Sequence, residues 1–576
     1  MIARKQWTRP GIAGLSETLA FIALTTLAGW LPFELQRPLA ALGPLAITNL
    51  EALLYTTALI WIASRALNRQ WRWTAVHKAV LAWAMVLLLA ALFAPTHRDQ
   101  ALKFTLRSWG GCALFFVAAD LATTPRRVAT VMLALSLGAV VSGLAALIEV
   151  GLPGAANALL AFKTQTSVIG SFVRASGTFQ YANTGAMYWE AALPLLLALG
   201  VWRAKLHRDE QASRWLTLAA ALVLLAALVL SASRAALIVV TLVLALLIGI
   251  AGRISPLLRT LAAASLAALF VLTLINLITS PLLALRLRTE SDEAWYRADY
   301  RFPTASTLSV EAGQLITVDV ALQNRGELTW SAFGEYPVFL SYHWYDPSRA
   351  QTIVFNGVRT PLLQDVSPGG QALLAARVLA PGQPGRYILR WDMVHEEVIW
   401  FSAKNAVTGD LPAEVTPARS GSLPPSLLEP FDLVRQASPA RLSLWQAGLQ
   451  MWLRSPLLGI GPDNFRHLYG PYLNLKPFDN RIHTNNLYVE TLVNTGLTGL
   501  VAFSALLVAL ARAARRGWQA GRSIDARILR LGLILALLAF FIHGLFDYFF
   551  EFTSTYGLFW LLAGILTGLG NEELSV

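Results

Sequence analysis

The sequence predicts an all-α polytopic membrane protein of about twelve transmembrane helices, interrupted by one extracytoplasmic all-β sandwich domain. Three observations carry this. Of 576 residues, 55% are apolar and only 14% charged, and mean hydropathy is +0.52; lipid must cover much of such a surface. Apolar runs near the roughly 20 residues that cross hydrocarbon recur along the chain. From about 300 to 402 they give way to alternating apolar and polar residues punctuated by Gly and Pro.

The apolar runs fall at about 14–33, 42–64, 79–95, 104–122, 128–151, 185–202, 214–231, 234–251, 258–280, 486–511, 529–547 and 553–570. Basic residues orient them, because short cytoplasmic loops collect Lys and Arg. With the N-terminus inside, the inner loops hold Arg65, Arg69, Arg72 and Lys78, Arg126 and Arg127, Arg203 to Arg214, Arg253 and Arg259, and Arg512 to Arg530. The outer loops are poorer, with Arg37, Arg98, Lys103, Lys163, Arg174 and Arg234. Both termini are therefore expected in the cytoplasm. The start, with Arg4, Lys5 and Arg9, is like a signal-peptide n-region but leads into further spans, so it is read as an uncleaved first helix.

A net charge of +12 would suggest nucleic acid in a soluble domain; here it belongs to helix anchors, and no nucleic-acid partner is expected. Nineteen Trp and fourteen Tyr suit two membrane interfaces, with lipid as a partner. The single cysteine, Cys112, permits neither an intramolecular disulfide nor a thiolate zinc site, and no metal site is expected.

Between the ninth and tenth runs, Ile316, Val318, Val320 and Leu322 repeat with period two, Pro368-Gly369-Gly370 and Pro381-Gly382 mark turns, and Tyr387 to Trp391 gives another strand. The expected division is a membrane domain at 1–284, a sandwich at 285–402, a Pro- and Ser-rich linker at 403–440, and a membrane domain with a surface helix and three spans at 441–576.

Polar residues at membrane depth or concentrated in outer loops ask for a reason, and four groups fall on one side of this topology. Arg174 to Gly185 includes Asn183 and suggests a shaped turn capping the next helix. Ser231-Ala-Ser-Arg234 places Arg234 at the mouth of the bundle, where its guanidinium either snorkels or grips an anion. Arg441 to Phe465 reads as a surface helix followed by Gly459-Ile-Gly461-Pro. His483-Thr-Asn485-Asn486 opens the tenth span, with Glu490, Gly496 and Gly499 beyond it. His543 and Asp547, four apart on one helix face, form a further pair; helix packing or a site accounts for it. Glu51 and Glu190 stand out as ionisable residues within spans.

In this order, the stretches Arg174 to Asn183, Ser233-Arg234-Ala-Ala-Leu, Arg441 to Phe465, and Asn485-Asn486-Leu through Gly496-Leu-Thr-Gly499 resemble the membrane superfamily of O-antigen ligases, O-antigen polymerases and protein O-oligosaccharyltransferases. The resemblance implies a GT-C-like inverting glycosyltransferase in a bacterial cytoplasmic membrane, working on the periplasmic face without metal or cofactor. It takes a glycan from undecaprenyl pyrophosphate to an acceptor hydroxyl of a glycan, lipid A core or protein. Tyr342-His-Trp344, Pro381 to Tyr387 and Trp391 to Phe401 resemble Ig-like modules of polysaccharide-biosynthesis enzymes, implying glycan binding or docking.

On that reading His483 is the general base, Arg234 and Arg441 are catalytic cations, and Arg174, Asn183, Asn485, Asn486 and Asp547 bind pyrophosphate or glycan. Fixed positive charge suits a pyrophosphate leaving group, and histidine acts near neutral pH. One departure stands: the family pattern of His-Asn, nine residues, then Gly-x-x-Gly puts its histidine at Asn485, two positions after the one here. In an extended segment residues two apart point the same way and His483 serves; in a helix they point about 200° apart and it does not. Two other classes compete, a lipid-linked oligosaccharide transporter, which needs polar residues along a midplane path, and a non-catalytic glycan-binding protein.

Overall fold

The computed structural model describes residues 12–42, 45–68, 73–152, 154–206, 210–289, 292–304, 306–334, 336–418, 439–475, 478–520 and 523–571. Arg4, Lys5, Arg9, Arg69, Arg72, Arg208, Arg522 and linker positions 419–438 lie outside them. The chain divides into two compact units, one of helices and one of strands.

The helical unit comprises 1–167, 174–276 and 440–576. Its helices are α1 (Ile12–Trp30), α2 (Asn49–Asn68), α3 (Ala75–Leu92), α4 (Arg98–Leu121), α5 (Pro125–Gly151), α6 (Ala182–Leu206), α7 (Glu210–Leu230), α8 (Arg234–Ala251), α9 (Pro256–Thr279), α10 (Arg441–Arg454), α11 (Phe465–Tyr472), α12 (Leu487–Ala520), α13 (Ile524–His543) and α14 (Thr553–Asn571). Each expected apolar run falls on one of these. Among the described residues eight helices are long and apolar enough to cross a membrane: α3, α5 to α9, α12 and α13. The protein is a multi-pass membrane protein.

Burial orders the bundle. The apolar window of α6 is buried all round, whereas α9 exposes Phe270, Val271, Leu274, Ile275 and Ile278. A helix apolar on every side belongs inside, and one with an apolar outer face suits lipid. Glu51 is not within the span: it is the acid of a capping box at the start of α2, its Oε2 accepting from the Thr48 amide at 2.9 Å while its own amide donates to the Thr48 hydroxyl at 3.2 Å. Its other oxygen accepts from Arg107 Nε of α4 at 2.6 Å. Glu190 of α6 meets His543 Nδ1 of α13 at 2.8 Å, both fully buried. Glu190 thus has the partner that an ionisable residue at membrane depth requires.

The strand unit comprises 168–173 and 277–439. Besides the short antiparallel pair Val168–Ile169 and Phe172–Val173, its strands are β1 (Ala298–Arg301), β2 (Leu308–Glu311), β3 (Leu315–Asn324), β4 (Val338–Asp346), β5 (Gln351–Val354), β6 (Thr360–Pro361), β7 (Gln371–Leu379), β8 (Gly385–His395), β9 (Ile399–Trp400) and β10 (Gly409–Thr416). One sheet runs β6-β4-β8-β10-β2, with β5 pairing β4 and β9 pairing β8; the other runs β7-β3-β1. Both feed one core of alternate residues, including Val318, Val320 and Leu322 of β3, Tyr342 and Trp344 of β4, and Leu389 and Trp391 of β8. That alternation is the period-two pattern of the sequence. The sheet runs past 402: residues 409–416, expected in the linker, pair antiparallel with β8 and parallel with β2.

Candidate functional site

A break in α12 builds the site. Gly496 has φ 65° and ψ −165°, non-helical values inside an otherwise continuous helix. The groups this frees are taken up by residues 456–461: Ile460 and Gly461 amides donate to the Val493 and Asn494 carbonyls, each at 3.0 Å, and Leu497 and Thr498 amides donate to Pro456 and Leu457 at 2.9 and 3.1 Å. A Cβ on Gly496 would lie 2.2 Å from the Leu457 carbonyl oxygen, and one on Gly459 (φ 70°) 2.5 Å from the Asn494 carbonyl carbon. Only glycine fits such conformations at such approach. The polar backbone at this depth is satisfied by the inserted loop, as a membrane protein requires.

The same loop delivers Asp463, which adopts φ 67°. Arg466 grips it with two bonds, Nε to Oδ1 at 2.9 Å and Nη2 to Oδ2 at 2.8 Å. Residues 482–486 precede α12 and are neither helical nor continuously extended, Asn485 taking a left-handed turn (φ 52°), so neither of the two simple geometries weighed for His483 holds. Trp445 Nε1 of α10 pins this segment by donating to the Thr484 carbonyl at 2.9 Å.

His483 is buried. Its Nδ1 lies 2.9 Å from Glu490 Oε1, one turn into α12. Glu490 also accepts from the Thr484 amide at 2.8 Å and Asn494 Nδ2 at 2.9 Å, so it is held as an acceptor and fixes the ring with Nδ1–H toward it. The other nitrogen, Nε2, makes no hydrogen bond and faces Glu551 Oε2 at 3.5 Å and Asp463 Oδ1 at 3.9 Å. Burial works against a charged ring, but Glu490 and Glu551 outweigh it and hold His483 protonated well above the ordinary histidine range. The Tyr548 ring packs on the imidazole, centroids 4.9 Å apart.

Asp463 and Glu551 line a cavity of about 330 Å³, with His483 behind them. Three arginines reach it from separate segments: Arg107 of α4, Arg466 of α11, and Arg481, which grips Asp479 with two bonds of 2.9 Å. Glu34, Gln36, Gln180, Tyr181 and Phe552 complete much of the wall. A mixed wall of cations, carboxylates, amides, hydroxyls and aromatic rings suits a polar, sugar-bearing ligand.

Of the residues expected from sequence, Arg174, Asn183 and Asp547 come together. Arg174 donates from Nε to the Ser231 carbonyl and from Nη2 to Asn183 Oδ1, both at 2.7 Å; Asn183 Nδ2 donates to Asp547 Oδ2 at 2.9 Å. The charge of Arg441 acts on Asp547 and on His543. Asp547 and His543 do not act as a pair, since α13 ends at His543 and the two take different partners. Arg234 is the first residue of α8, capped by Ser233. Asn486 has both ends of its amide engaged: Oδ1 accepts from the Tyr488 and Val489 amides at 3.0 Å, and Nδ2 donates to the Leu545 carbonyl at 2.9 Å. It is a helix cap. The sequence singled out neither Glu551 nor Arg107, Arg466 and Arg481; the signal for Glu551 was its place four residues after Asp547 at a helix end.

Residues 401–504 match the family model described as O-antigen ligase, a stretch that holds Arg441, Asp463, His483, Glu490 and Gly496. No curated protein matches the chain. Within a multi-pass membrane protein, residues 401–504 are thus similar to the O-antigen ligase family, whose members are membrane glycosyltransferases of the ligase and polymerase type.

Proposed function

We propose that this protein moves a glycan from undecaprenyl pyrophosphate to an acceptor hydroxyl, by inverting transfer without a metal, on the periplasmic face of a bacterial cytoplasmic membrane. The observation that carries this is His483, oriented through Nδ1 by Glu490 while Nε2 faces the carboxylates of an arginine-bearing cavity. His483 is a catalytic residue of the transfer step. Arg174, Arg234 and Arg441 gather pyrophosphate charge, while Asn183 and Asp547 hold Arg174 in place and take glycan hydroxyls; fixed donors aimed at a developing oxyanion are worth about 10²–10³ in rate each. The acceptor is lipid A core, a repeat-unit glycan or a protein hydroxyl. The twelve helices α1 to α9 and α12 to α14 are read as spans, with both termini cytoplasmic. The strand unit, similar in pattern to Ig-like modules, docks glycan.

The test uses purified full-length protein, an undecaprenyl-pyrophosphate-linked oligosaccharide and a panel of the three acceptor classes. Transfer to one of them, abolished by His483→Ala and Arg174→Ala with the fold intact, is the expected result. No transfer to any acceptor, with donor still bound, would point to a binding or transport protein.

A further inference from the structure

The sequence offered His483 as the base, yet its surroundings suit a cation. Both ring nitrogens face carboxylates: Nδ1 meets Glu490 at 2.9 Å, and Nε2 faces Glu551 at 3.5 Å and Asp463 at 3.9 Å. A neutral ring would turn a lone pair on Nε2 toward two carboxylates. Of these, Asp463 has both oxygens held by Arg466, and Glu490 is saturated by His483, Thr484 and Asn494. Glu551 differs: its side chain is 27% exposed, it lines the cavity that His483 stands behind, and His483 Nε2 faces only one of its oxygens. It lies outside the stretch that matches the family model.

We propose that Glu551 is the base that takes the proton of the acceptor hydroxyl, with His483 acting as an imidazolium. This rests on the glycosyl-transfer reading above. In the step, the acceptor O–H bond breaks and its proton passes to Glu551; the acceptor oxygen bonds to the anomeric carbon; the bond from that carbon to the pyrophosphate oxygen breaks, its electron pair leaving with the lipid pyrophosphate. Once Glu551 is neutral, the His483 charge it offset at rest is free to stabilise the departing anion. The cation therefore gains strength in the transition state, where stabilisation counts. Protonation favoured by Glu490 and Glu551 agrees with this assignment.

The charged and titratable groups around this pair are Asp463 and Arg466 of the loop before α11 and its first turn, His467 of α11, Arg481 of the segment before α12, Glu490 of α12, Asp547 and Tyr548 of the α13–α14 loop and Tyr181 just before α6. The experiment is steady-state transfer by full-length protein, with an undecaprenyl-pyrophosphate-linked oligosaccharide as donor. Glu551→Gln is expected to lower kcat by about 10²–10⁴, the usual worth of a general base, with donor KM little changed. Formate added to Glu551→Ala is expected to restore part of the rate, which also certifies the fold of that variant. The wild-type rate is expected to fall at alkaline pH as the imidazolium is lost. A Glu551→Gln enzyme within about threefold of wild type, absence of formate rescue, or a wild-type rate that climbs through the alkaline range would overturn the assignment and return the base to His483. A wild type that transfers nothing would instead refute the glycosyl-transfer reading itself.

Discussion

Replacing Gly496 by alanine is expected to disable the site from a distance. The residue holds φ 65° and ψ −165°, a region open essentially to glycine alone, so an alanine there costs about 1–3 kcal/mol in backbone strain. Its Cβ would also stand 2.2 Å from the Leu457 carbonyl oxygen and 2.3 Å from its carbon, backbone atoms that no side-chain rotation can clear. Relief must come by moving the 456–461 loop. That movement strains the four backbone bonds joining it to α12, each worth about 0.5–1.5 kcal/mol net. A loss near 3 kcal/mol or more follows, in the class of strain at a special backbone conformation. The loop leads directly to Asp463, so transfer activity should fall with stability. Thermal unfolding in detergent, followed by tryptophan fluorescence, measures the first; glycan transfer measures the second. Gly249 is the control, a glycine of α8 with open space around its Cβ site and no left-handed backbone. Gly249→Ala should leave Tm unchanged or raise it, since alanine is favoured over glycine in a helix interior by about 1 kcal/mol. If Gly496→Ala unfolds within a degree of wild type and keeps full activity, the account of the helix break is wrong.

Three further outcomes are expected. Glu490→Gln removes a charge that keeps His483 protonated; because a raised histidine pKa gives stability that is full below the ordinary histidine value and lost as pH rises through the folded-state value, wild-type Tm should decline on the alkaline side and the variant should show a flatter profile. Lys163→Met leaves Glu149 buried without its cation, beside the Ser176 and Gly177 amides it holds at 3.0 and 2.8 Å, so about 3–5 kcal/mol should be lost, read as a large drop in Tm. Asn183→Leu severs the bridge from Arg174 to Asp547, and donor KM should rise about tenfold or more, the worth of a hydrogen bond to a charged group.

Much of the fold was legible because it is written in periodicity. The long apolar runs fall on helices, and Val318, Val320 and Leu322 face a shared core as their spacing required. The final strand was not legible: Gly409, Leu411, Ala413 and Val415 alternate with polar or exposed residues, but Pro412 lies within it, opposite Ile388, where proline ordinarily argues against a strand. Glu51 looked mid-span because Thr48, its capping partner, sits within the same apolar run. The site was half legible. Asn183 and Asp547 lie 364 residues apart yet share one hydrogen-bonded chain with Arg174, and all three were visible as polar groups at helix ends. Glu490 was visible but ambiguous until its seven-residue return to His483 appeared. Arg107, Arg466 and Arg481 come from three segments whose convergence is tertiary, and no local pattern marks it.

The most direct test of glycosyl transfer is the stoichiometry of product and lipid carrier: purified full-length protein, an undecaprenyl-pyrophosphate-linked oligosaccharide and the acceptor that the panel identifies, with glycosylated acceptor and freed undecaprenyl pyrophosphate quantified together and the new linkage assigned by NMR. One carrier freed per linkage formed, with inverted anomeric configuration and loss of both signals in His483→Ala, is what the site predicts. Freed carrier without a linkage, a retained configuration, or equal activity in His483→Ala would contradict it.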